Sequence, residues 1–108
     1  MTQEAILSQL GLIPNVALAD QLERIEKNTH GFEKIIKHVM DLHEALKTNE
    51  AYVALSNTVD LFKIKIDATS KISATEAMEK INHFADKFKV KLQKVEGKET
   101  FYIVGFAS

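Results

Sequence analysis

His30, His38, His43 and His83 have the side chains most suited to metal binding or proton transfer near neutral pH in this chain. Their spacing does not gather them. His38 and His43 are five residues apart, which on a helix separates them by about 140°. His38 shares a helical face with Asp41, and His83 with Glu79 and Asp86, the spacing of ordinary solvated neighbours. Cysteine is absent, so thiolate ligands and disulfides are excluded. We therefore expect no metal site. The four glycines stand singly at 11, 31, 97 and 105, and there is no phosphate-binding loop, dinucleotide fingerprint or nucleophile elbow. A non-enzymatic protein without a cofactor is the expectation.

Lysine offers a second chemistry. Lys63 and Lys65 alternate with Phe62, Ile64 and Ile66, and Lys89 and Lys91 alternate with Val90 and Leu92. If a sheet packs its apolar side on a helix, these four lysines share the opposite side, with Lys94 and Lys98 nearby on a hairpin. Such a surface suits an anionic ligand, for example a nucleic-acid backbone. The more ordinary reading is a solvated sheet face whose lysines discourage edge pairing. It is preferred on sequence grounds because no aromatic residues clearly interleave with the lysines along the chain.

The elements that must carry these residues begin with Thr2, a cap for a short helix over 2–12 stopped by Gly11, with Ile6, Leu7 and Leu10 on its apolar side. Pro14 separates this arm from the next helical segment. A heptad seam then runs through Leu18, Leu22, Ile25, Thr29, Phe32, Ile36, Val39, His43 and Leu46. Seven of these nine positions are apolar, and the phase is unbroken across Asn28-Thr29-His30-Gly31. That continuity favours one long helix over 16–47, with a kink or hairpin at Gly31 as the alternative. Its early part has polar flanks, Gln21, Glu26 and Asn28, as in a two-helix seam. Its later part, flanked by Ile35, Met40 and Leu42, suits a core. Thr29 and His43 are polar positions on the stripe. They are read as register-fixing residues, with a pH-sensitive role for His43 as the alternative.

Residues 50–57 read as a short helix, with a loop-bound turn as the alternative. Phe62 to Ile66 read as a strand, and Ser73 with Glu76 forms a capping-box pattern opening a helix over 74–88. Val90 and Leu92 mark another strand, Glu96-Gly97-Lys98 a hairpin turn, and Thr100 to Phe106 the closing strand. The fold class is thus α+β. A short helix and a long helix precede a β-α-β-β unit, all within one domain over 1–108, with a small sheet containing antiparallel pairs. The order over roughly 60–106 resembles a winged-helix DNA-binding domain in topology alone, with Lys94 to Glu99 at the wing. It departs in having one helix where that family has two between its first strands, and no family is claimed on it.

A length of 108 residues, 45% hydrophobic and 27% charged, belongs to a globular domain. No apolar run approaches the roughly 20 residues of a membrane span, and the N-terminus lacks the basic start of a signal peptide. A cytoplasmic protein without membrane contact is expected. Net charge is −1, which excludes a polycation. The partner expected is a second copy of the chain, meeting it through Leu18, Leu22, Ile25 and Thr29, together with an unidentified protein. Nucleic acid bound by Lys63, Lys65, Lys89 and Lys91 is the alternative.

Overall fold

The computed structural model describes residues 1–107. Three helices come first: α1 (Gln3–Gln9), α2 (Val16–Asn28) and α3 (Phe32–Leu46). Two strands come next, β1 (Ala51–Leu55) and β2 (Phe62–Ile66), then α4 (Lys71–Phe88), β3 (Val90–Lys94) and β4 (Thr100–Phe106). The strands form one antiparallel sheet in the order β1-β2-β4-β3. The α+β class read from the sequence is the class of this structure.

Local chemistry explains the helix starts. Thr2 Oγ1 accepts the Ala5 N–H at 3.1 Å, and Asn15 Oδ1 accepts the Leu18 N–H at 2.9 Å. Each satisfies a donor that the first helical turn leaves open. α4 begins at Lys71 rather than at 74, because Ser70 Oγ accepts the Ser73 N–H at 3.0 Å and takes the cap.

The long helix expected over 16–47 is two helices, and the break has three causes in three residues. Thr29 turns its hydroxyl back onto the Ile25 carbonyl at 2.7 Å, and its backbone is extended. His30 pairs with Gly105 of β4 as an isolated bridge, and its carbonyl accepts the Phe106 N–H at 2.7 Å. Gly31 takes a φ of +65°, where a side chain would be strained and a Cβ would lie 2.7 Å from that of Phe106. The preserved heptad phase is a coincidence of loop length. A straight helix over 16–47 would be about 48 Å long, more than the longest dimension of the molecule, 38 Å.

Residues 50–57 are corrected likewise. Glu50 adopts a left-handed conformation that ends the preceding turn, and β1 begins directly after it. Ala51, Val53 and Leu55 are buried while Tyr52 and Ala54 are half-buried, the period-two pattern of a strand with one face in the core.

Helices α3 and α4 pack on one side of the sheet, meeting Val53, Phe62, Ile64, Phe101 and Ile103 in a single core. α1 adds Ile6 and Leu7, and α2 adds Leu22 and Ile25, all four fully buried. Phe32 stacks on Phe62 with ring centroids 6.0 Å apart. Asn28 and Gln21 of α2 donate to the carbonyls of Asp60 and Ser56, tying that helix to the β1–β2 turn. α4 alone joins β2 to β3, so the helix pair of a winged helix is not built there. No helix among the described residues is long and apolar enough to cross a membrane.

Candidate anion-binding face

Alternation along the strands sends the lysines of β2 away from the helices. Lys63 lies between Ala54 of β1 and Tyr102 of β4, while Lys65 lies between Tyr52 of β1 and Thr100 of β4. Direct cross-strand neighbours on one face are about 5 Å apart. Tyr52 therefore sits beside Lys65 and Tyr102 beside Lys63, so the two lysines are neighbours along β2 and the tyrosines flank them from the strands on either side. Gln93 of β3 continues the row beyond Tyr102. All four of these lysine and tyrosine residues are half-buried.

One end of this face is hollowed. A cavity of about 280 Å³ has Lys63, Lys65, Thr100 and Tyr102 on its floor. The β1–β2 turn forms one wall with Ser56 and Thr58, and the β3–β4 hairpin forms the other with Lys98. Three lysines and no carboxylate line it. The hydroxyl groups around it are linked. Ser56 Oγ accepts the Thr58 N–H at 3.2 Å and lies 3.2 Å from Thr58 Oγ1, which in turn lies 3.0 Å from the Tyr102 hydroxyl. The hydrogen bond with Thr58 is the largest cause of a Tyr102 pKa held below the usual phenol range; burial opposes it, and Ser56 and the Lys63 and Lys98 charges assist it less strongly. On the hairpin, Lys94 Nζ donates to the Lys98 carbonyl at 3.0 Å, and Gly97 makes the turn with a φ of +75°.

The residues expected for this role are partly united. Lys63 and Lys65 are adjacent positions on one face. Lys91, two residues from Gln93 on β3, points to the same side at the far edge, past a bulge where Val104 is the extra residue of β4. Lys89 is not on a strand. It ends α4 with a φ of +55°, and its carbonyl accepts the Ala107 N–H at 2.7 Å. Lys98 is on the hairpin, as its spacing suggests, and lines the hollow. Tyr52 and Tyr102 are the residues that sequence reasoning missed. Tyr102 could have been found by extending the alternation of β4, whereas Tyr52 was hidden by reading β1 as a helix.

The seam expected to meet a second copy is corrected. Leu22 and Ile25 have no exposed surface, Thr29 is 3% exposed, and Leu18 packs against the same core. They belong to the chain's own core: the break at Gly31 lets α2 turn away from the line of α3, pack against α1 and tie to the β1–β2 turn through Gln21 and Asn28.

The histidines are dispersed as the spacing suggests. His38 stacks on Phe88 at 3.7 Å between ring centroids. His43 is buried, and its Nδ1 accepts the Val53 N–H at 3.0 Å. Burial, more than the nearby Lys47, lowers its affinity for a proton, while Glu44 and the Gln9 backbone pull the other way less strongly. Among the described residues no three His, Asp or Glu side chains are placed to hold a metal ion. Comparison with protein-family models, with curated proteins and with solved structures finds no match to this chain.

Proposed function

We propose that this protein is a non-enzymatic binding module that takes single-stranded nucleic acid on the open face of its sheet. The observation that carries the reading is the cross-strand pairing of Tyr52 with Lys65 and of Tyr102 with Lys63 on one face. Ammonium groups neutralise phosphates, and tyrosine rings offer platforms for unpaired bases. A duplex hides its base faces and would use only the charge. The arrangement is local, so a net charge of −1 does not oppose it.

Fluorescence anisotropy with labelled single strands and duplexes, at about 50 and about 200 mM salt, tests this. Single strands are expected to bind more tightly than duplex, and binding should weaken at the higher salt. The double variant Lys63→Gln with Lys65→Gln should reduce affinity at low salt by about tenfold or more. Tyr102→Ala should weaken single strands and leave duplex binding unchanged. Absence of salt-sensitive binding at the lower salt would refute the proposal.

A further inference from the structure

We infer that the hollow at the end of this face is a pocket for a terminal phosphomonoester, so that the module grips the phosphorylated end of a strand. The inference rests on the open face binding single strands, and it adds Lys98 and the Ser56–Thr58 turn to Lys63, Lys65 and Tyr102 of that face. Charge is the first argument. Lys63, Lys65 and Lys98 line one cavity, and no carboxylate residue is in its lining. A phosphodiester carries a single negative charge, whereas a phosphomonoester carries about −1.5 to −2 near pH 7 and has three strong acceptor oxygens. The cavity is matched to the second.

Shape is the next argument. Tyr52 and Gln93 lie on the same face outside the hollow, where the surface is open and a strand can run across it. The hollow is walled on two sides, by the Ser56–Thr58 turn and by the hairpin that carries Lys98. A through-running backbone has to enter and leave, while a chain end only has to enter.

The third argument is prior order. The hydroxyls of Thr58 and Tyr102 already hold one another at 3.0 Å, and the Ser56 hydroxyl fixes the turn by accepting two backbone N–H groups, from Thr58 and Val59. On the other wall the Lys98 backbone is pinned at both ends, its carbonyl by Lys94 Nζ and its N–H by the Val95 carbonyl at 3.2 Å. Donors held in place before binding lose less freedom on binding.

The test uses the intact protein and short single strands of one sequence bearing a 5′-phosphate, a 3′-phosphate or no terminal phosphate, with Lys98→Gln as the variant. One phosphorylated end is expected to bind about tenfold more tightly than the unphosphorylated strand, in keeping with charge-assisted hydrogen bonds. Lys98→Gln should abolish that preference and leave the unphosphorylated strand within about twofold of its original affinity. Far-ultraviolet circular dichroism checks that the variant is folded. Equal affinity for all three strands, or an equal loss for all three in Lys98→Gln, overturns the terminal pocket and leaves the open-face reading standing. Failure of every strand to bind overturns both.

Discussion

The two faces of the sheet are written in the same five residues of β2, Phe62-Lys63-Ile64-Lys65-Ile66, and they are governed by different physics. On one side Phe62 and Ile64 are fully enclosed by α3, α4 and the neighbouring strands. There the interaction is burial of apolar surface, worth about 1.5–3 kcal/mol for each large side chain, and the partners are fixed. On the other side Lys63 and Lys65 meet tyrosines and water, where pairwise energies are a fraction of that. The comparison teaches that a strand can hold a fold and offer a binding surface without compromise, since the period of two keeps the tasks on separate sides. It also explains why net charge conceals the surface: the acidic residues that balance these lysines line no part of the hollow.

The comparison can be broken most forcefully on the buried side. Ile64→Ala should destabilise the protein by about 2–5 kcal/mol, measured by urea unfolding, because it leaves a cavity among close-packed neighbours. A change below about 1 kcal/mol would show that this face is not a packed core. A smaller effect comes from His43, whose neutral imidazole is needed to accept the Val53 N–H. Its proton affinity is lowered in the fold, chiefly by burial, whereas the unfolded chain takes the proton at its ordinary value of roughly 6.5. The unfolded state therefore binds more protons as the pH falls below that value. The contribution of His43 to stability should be complete above it, decline on acidification, and level off once the folded protein is protonated too. Thermal melts between pH 8 and pH 5 should show a steeper fall for the natural protein than for His43→Asn. The smallest effect belongs to the open face: Lys63→Gln should shift stability by no more than about 0.5 kcal/mol in the same urea experiment. Equal losses for Ile64→Ala and Lys63→Gln would erase the distinction between the faces.

Reading these faces from the amino-acid sequence succeeded where one element sufficed. Phe62, Ile64 and Ile66 announce the buried side of β2, and Lys63 and Lys65 are placed by alternation. Gly97 marks the hairpin turn, where it indeed has positive φ. What escaped depends on contacts between distant segments. Tyr52 and Lys65 are 13 positions apart in the chain, and Tyr102 lies 39 beyond Lys63, so their adjacency is a property of register and not of spacing. The break after α2 escaped for the same reason. Gly31 was visible as a weak point, but the strand that occupies the gap comes from the other end of the sequence. Leu22 and Ile25 looked available to a second copy only while α2 and α3 were taken as one rod.

The bridge between His30 and Gly105 has a consequence for how the chain reaches this structure. It joins residues about 75 positions apart, and Gly105 leaves so little room that a Cβ there would lie 2.7 Å from the His30 carbonyl oxygen. Closing so long a loop is entropically costly and is repaid only when both ends are already shaped. Docking of the α2–α3 corner on the last strand therefore joins the long-range pairing of β2 with β4 in raising the contact order of the protein. A ribosome that has not yet released the final strand holds a chain whose α2–α3 corner has nothing to close upon.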